Sequence, residues 1–174
     1  GIRNLRKIPV TAEFAMDVDL FEDTVLQDIA AGLKPAICVA TLGTTGASGF
    51  DDLVAIGKIC RAHKIWLHVD AAWAGSALIL PEYRSMAKGL EFADSFVFNP
   101  HKWLYTGFDC SAYFVRDPGL LIRTFEIMPE YLKSRQDDRV INYRDWGIPL
   151  GRKFRALKLW FVLRSYGIAG LQDE

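Results

Sequence analysis

Three short apolar runs punctuate the first hundred residues: Ala36–Thr41 (AICVAT), Ile65–Val69 (IWLHV) and Ser95–Phe98 (SFVF). A continuous apolar run without polar alternation is the pattern of a strand covered on both faces, as in parallel sheets. Helical segments lie before and between the first two runs. In Asp17–Leu33, Phe21, Val25 and Ile29 recur at four-residue spacing, with Asp17, Asp19, Glu22 and Asp23 near the positive N-terminal end. In Asp51–His63, Leu53, Ile56 and Cys60 share a face and acids stand at the start. Strands alternating with helices predict an α/β chain with a mostly parallel sheet and flanking helices.

Weaker signals fill in the rest. Lys7–Val10 is expected to be an edge strand, Pro81–Lys88 a short helix and Ser111–Val115 a fourth strand. Glu126–Asn142 is polar and irregular and is expected to be a long mobile loop. Leu150–Tyr166 is expected to be a long helix stopped by Gly167, with Phe154, Leu157 and Phe161 on one side.

Composition narrows the function. With 174 residues the chain can bury one sizeable core. Hydrophobic residues at 51% and a net charge of zero exclude a disordered chain. They also leave no global field to attract nucleic acid or an anionic membrane. No apolar run reaches the ~18 residues of a membrane helix, and GIRNLRKIPV lacks the apolar core of a signal peptide. Cys38, Cys60 and Cys110 sit inside apolar segments, as free thiols of a reducing, cytoplasmic compartment would. His63, His68 and the cysteines lack metal-ligand spacing, His68 is expected to be a satisfied core residue, and TLGTTG lacks the lysine of a P-loop. No initiator Met opens the chain, so a piece of a longer protein is expected.

Ligands of open α/β sheets bind beyond the carboxyl ends of the strands. Here that rule selects Gly43–Thr45, Asp70–Ala72 and Asn99–Lys102. Asp70 ends an apolar strand, where a carboxylate either serves the local turn or faces a cation. Lys102, in NPHKW, is either a solvated surface amine or a desolvated nucleophile for carbonyls. An acid and a lysine at neighbouring strand ends suit pyridoxal phosphate, the acid pairing with the pyridinium nitrogen and the lysine forming the Schiff base. At ~4 Å and an effective dielectric near 20 such a charge pair gains roughly 4 kcal/mol. That is about three pKa units, enough to keep the ring nitrogen protonated at neutral pH.

The segments TLGTTGASGFDDL, HVDAAWAGSA, FADSFVFNPHKWL, DCSA and IPLGRKFRALKLWFVLRSYG resemble the group II pyridoxal phosphate-dependent decarboxylases, and among them the branch acting on aromatic L-amino acids. The resemblance implies part of a fold-type I large domain. Residues 1–157 would be its second half and residues 158–174 the start of a C-terminal small domain, with the helix at 150–166 bridging them. It implies Lys102 as the cofactor lysine, Asp70 as the pyridinium partner and Ala72 as the small residue against the ring face. It also implies Thr45 near the ring oxygen, and Asn99 and His101 near the phosphate and the lysine. Tyr131, in MPEYLK, resembles the tyrosine of the family's catalytic loop, a proton donor. In related aldehyde synthases a Phe stands there, so Tyr131 favours simple decarboxylation to an amine and carbon dioxide. Arg152 is expected to be structural or interfacial. Gly147 departs from the Gln that many members carry. The resemblance further implies an amino-acid substrate and a homodimer with its site at the interface. The rivals are a member acting on histidine, glutamate or another amino acid, an aromatic aldehyde synthase, and an inactive fragment serving only folding or dimerisation.

Overall fold

The computed structural model describes residues 4–126 and 142–173. Four strands form one sheet in the order β1 (Ile37–Thr41), β2 (Trp66–Asp70), β3 (Ser95–Phe98), β4 (Ala112–Val115). The first three are parallel and β4 is antiparallel to β3, in keeping with the mostly parallel sheet expected. Helices α1 (Val18–Ala30) and α2 (Leu53–His63) pack on one face. Three 3₁₀ segments (Gly75–Ile79, Pro81–Ala87, Leu90–Phe92) join β2 to β3, and a single-turn α3 (Pro100–Trp103) follows β3.

Aspartates set three of the helix starts. Asp17 caps α1 by accepting from the Leu20 amide, and Asp52 caps α2 by accepting from Val54 and Ala55. Helix α4 (Pro118–Phe125) was not anticipated. Its signal was present, because Asp117 accepts from the Gly119 amide and Pro118 occupies the first helical position.

The core joins Cys38 and Ala40 of β1 and Leu67 and Val69 of β2 to Phe21 and Val25 of α1 and Leu53, Ile56 and Cys60 of α2. Side chains alternate across a strand, so Ile37 and Val39 point the other way. They are 55% and 52% exposed. The expectation that β1 is covered on both faces therefore fails, because only one of its faces has a described element over it. All three cysteines are buried free thiols.

Two expected elements differ. Lys7–Val10 forms no strand, and a single bridge pairs Val10 with Met16 around a tight turn in which the Thr11 amide donates to Ala15. Pro9, lacking an N–H, cannot extend a ladder. The last helix, α5, begins at Arg155 rather than Leu150 and continues to Asp173. Gly167 breaks it as expected (φ 68°, ψ 178°), yet the chain resumes helical geometry and buries Leu171. Phe154, Leu157 and Phe161 are exposed rather than packed. The loop expected over Glu126–Asn142 falls almost wholly outside the described residues.

Candidate active site

Thr41, Asp70 and Val97 are register partners across β1, β2 and β3, so the carboxyl ends of the three strands stand level. After β1 the chain turns back at once. The amides of Gly43 and Thr44 both donate to the Gly49 carbonyl, and the Gly49 amide donates to Thr44 Oγ1 at 2.8 Å. Thr44 ties the turn, leaving Thr45 exposed at its tip. Gly43 has φ +77°, and a Cβ there would lie 2.5 Å from Ala74 Cβ. Only glycine lets the β1 turn and the loop after β2 approach this closely.

Asp70 Oδ1 accepts from the Ala72 amide at 2.9 Å. Its own carbonyl takes the Leu42 amide, and the Ala71 amide donates to Val97. The carboxylate thus closes a local turn with one oxygen, while among the described residues no donor meets the other. Both readings of Asp70, turn former and partner for a cation, are compatible in one side chain.

Asn99 leaves β3 extended and Pro100 starts α3, in which the Lys102 amide donates to the Asn99 carbonyl at 2.9 Å. Trp73 and Trp103 meet edge to face with centroids 5.1 Å apart. That contact brings the loop carrying Asp70 and Ala72 against the turn carrying Lys102. The Lys102 side chain is exposed. Of its two alternatives the described residues give the solvated one, because α3 is a single turn with solvent on the lysine's side.

His101 is half-buried, and its Nδ1 faces the Cys110 backbone, 2.7 Å from the carbonyl and 3.0 Å from the amide. One edge of the ring is therefore committed to fixing the Asp109–Cys110 segment. Tyr131 lies outside the described residues. A Cβ at Gly147 would stand 2.7 Å from Arg152 Nη2, the movable end of a long side chain, so sterics do not demand this glycine. Arg152 itself is exposed.

One contributor went unnoticed in the sequence and another was misplaced. Asp51 accepts from the Met16 amide at 2.6 Å and from the Thr41 amide at 2.7 Å, clamping the end of β1. The signal was the doubled acid at 51–52, since one Asp suffices to cap α2. His68 is not a core residue. It lies half-buried on the face of β2 that carries Asp70, although it is satisfied as expected, by Ser95 Oγ at 2.8 Å. Burial pushes its imidazole below the ordinary value, with the Asp70 carboxylate pulling weakly the other way. Burial also raises the Cys110 thiol, which disfavours it as a nucleophile. Among the described residues no cluster of three His, Cys, Asp or Glu could hold a metal, and no helix is long and apolar enough to cross a membrane.

Residues 1–174 match the pyridoxal-dependent decarboxylase conserved domain. The chain belongs to this family. Aromatic-L-amino-acid decarboxylase of Cavia porcellus is 52% identical over 174 residues, 99% of this chain and 36% of that protein. Among solved structures, Oryza sativa TDC with PLP and tryptamine superposes with a TM-score of 0.94 at 41% identity, covering 97% of this chain and 35% of the other. Rhodiola rosea 4-hydroxyphenylacetaldehyde synthase gives 0.89 at 35% identity over 99% and 36%. The chain thus spans about a third of the length of these relatives, and its fold is that of fold-type I pyridoxal-dependent enzymes.

Proposed function

We propose that this chain is the cofactor-gripping part of a pyridoxal phosphate-dependent decarboxylase that converts an aromatic L-amino acid to its amine and carbon dioxide. The observation carrying the reading is the meeting of two strand ends. Asp70 offers one unclaimed carboxylate oxygen at the end of β2, and Lys102 stands on the turn after β3, held against the Asp70 loop through Trp73 and Trp103. An anion for a ring nitrogen and an amine for a carbonyl on one rim fit the chemistry of pyridoxal phosphate. That group, when bound, supplies a carbonyl to capture amines and a ring that withdraws the electrons left as carbon dioxide departs.

The chain's own residues then divide the work. Asp70 holds a proton on the ring nitrogen by charge. Lys102 supplies the covalent attachment and is the amine that an incoming amino acid exchanges with. Ala72, without a bulky side chain, leaves space against one ring face. Thr45, its hydroxyl not used by the turn, is the donor for the ring oxygen. Asn99 and the free edge of His101 serve the phosphate side. Tyr131 delivers a proton to the carbon that loses the carboxylate, a role suited to a phenol that is a donor at neutral pH.

The relatives named above support an aromatic substrate; a homodimer with its site at the interface and a cytoplasmic setting complete the proposal. Residues 1–157 then belong to the large domain and 158–174 begin the small one. A second reading, an aromatic aldehyde synthase, is favoured by the likeness to the Rhodiola protein. Tyr131→Phe in the full chain separates the two. Decarboxylase chemistry predicts that this substitution turns amine formation into aldehyde and ammonia, with dioxygen as oxidant reduced to hydrogen peroxide and water supplying the aldehyde oxygen. Unchanged amine output removes Tyr131 from the mechanism.

The primary test is borohydride reduction of the full chain after mixing with pyridoxal phosphate, followed by peptide mapping and an amine-product assay over a panel of amino acids. Label on Lys102, lost in Lys102→Ala, with amine from aromatic substrates is the expected result. Absence of label overturns the reading in favour of a folding or dimerisation unit.

A further inference from the structure

On the sheet face opposite the core, Trp66, His68 and Asp70 alternate along β2 and point the same way. The register places Ser95 beside His68 and Val97 beside Asp70, with Tyr113 of β4 next in line. Ser95 is 2% exposed, and its hydroxyl has two neighbours. Trp66 Nε1 lies at 2.9 Å and His68 Nδ1 at 2.8 Å. The His68 ring stacks on Tyr113, centroids 6.0 Å apart at 29°.

The roles in this chain of hydrogen bonds follow from what each group can do. An indole N–H only donates, so Ser95 Oγ accepts from Trp66. The hydroxyl has one proton left to place, and among the described residues the only acceptor near it is His68 Nδ1. If Nδ1 carried the ring proton, the buried Ser95 hydroxyl would lose its acceptor, a costly outcome. Nδ1 is therefore unprotonated, and the neutral ring carries its hydrogen on Nε2. The other groups around the imidazole are Asp70 on its own strand, the Tyr113 phenol on β4 and the apolar Val39 on β1.

We infer that Trp66 and Ser95 are positioning residues that hold His68 as the neutral Nε2–H tautomer, so that no cation stands beside Asp70 and its negative charge stays available to a cationic ring. The inference rests on the cofactor reading above. A histidine two residues from the acid would, if charged, compete with the heterocycle for the same carboxylate. The hydrogen-bond chain prevents this by making a proton on Nδ1 expensive.

The test uses the full chain and two readouts. Nitrogen-15 NMR of labelled histidines in the cofactor-free protein should show His68 neutral with its proton on Nε2 at pH 7. Trp66→Phe removes the donor that anchors Ser95 Oγ, lets the side chain rotate off His68 Nδ1, and should raise the His68 titration by about one pH unit, roughly the value of one lost buried hydrogen bond. Ser95→Ala removes the donor and should shift it the same way, which keeps the test usable if one variant folds poorly. The second readout is the affinity for pyridoxal phosphate by fluorescence quenching, as the ratio of variant to wild type. That ratio should be near one at pH 8 and grow to roughly three- to fivefold weaker binding at pH 6. A proton on Nδ1, a charged His68 at pH 7, or a ratio independent of pH overturns the inference alone. Failure of the wild-type chain to bind the cofactor at all overturns it together with the reading it rests on.

Discussion

Replacing Asp51 with asparagine changes one atom and undoes the clamp on the end of β1. The carboxylate takes the Met16 amide at 2.6 Å and the Thr41 amide at 2.7 Å, lengths typical of charge-assisted bonds. Asparagine keeps one oxygen as a neutral acceptor and turns an NH₂ toward the other amide. One charged bond, worth about 1.5–3 kcal/mol, is then lost, and the other weakens by roughly 1 kcal/mol. Because all three groups are only half-buried, the lower part of that range applies, about 3 kcal/mol in total. For a domain of this size each kcal/mol lowers the melting temperature by roughly 2–4 °C, so Asp51→Asn should melt about 6–12 °C lower. Asp52→Asn is the matched control. The same change next door falls on the α2 cap, where Asn serves about as well as Asp, so the melting temperature should barely move. Scanning calorimetry on the two variants decides the matter. Equal shifts, or a shift under about 2 °C for Asp51→Asn, would refute the clamp and with it the claim that position 51 holds the Thr41 end of the site in register with Asp70.

Other expectations follow from single contacts. Arg155 holds the Asp109 carboxyl down at about 2, against an ordinary value of 3.8, through two hydrogen bonds at 2.8 and 3.0 Å. A carboxyl lowered in the folded state adds stability above its unfolded value and loses it as pH falls through the folded one. Melting temperature should therefore fall more steeply between pH 4 and 2 in the native protein than in Asp109→Asn, and parallel curves would discard the pair as a stabilising contact. Gly43→Ala strains a residue at φ +77° and drives a Cβ toward Ala74. Displacing the Asp70–Trp73 loop by that route should weaken pyridoxal phosphate binding on the order of tenfold, about 1.4 kcal/mol, and unaltered affinity would show that the loop yields without moving Asp70.

The fold was legible where one physical signal dominated. The runs at 36–41, 65–69 and 95–98 became β1, β2 and β3 within a residue at each end, because an apolar run between turn-forming residues has few other fates. The cap residues Asp17 and Asp52 marked helix starts for the same reason. Leu150 misled because apolar residues continue back from α5, while Pro149 and Gly151 keep that stretch out of a helix. Coverage of a strand was not legible at all. Ile37 and Val39 look like core residues in sequence, but whether a face is packed depends on what lies across it, and here that is nothing among the described residues.

The same distinction separates what the sequence could and could not say of the site. That Asp70 and Lys102 stand at neighbouring strand ends follows from topology, since parallel strands joined by right-handed crossovers place their carboxyl ends on one rim. The protonation of His68 does not, because it depends on which hydroxyl the register sets beside it. A one-residue slip of β3 would put Phe96 opposite His68 in place of Ser95 and leave Nδ1 without its donor. The exposure of Lys102 has a similar root. Desolvation comes from walls on several sides, and this chain supplies about a third of the length of its relatives. A lysine at the right strand end is thus a matter of local sequence, whereas the walls that desolvate it are a matter of the whole assembly around it.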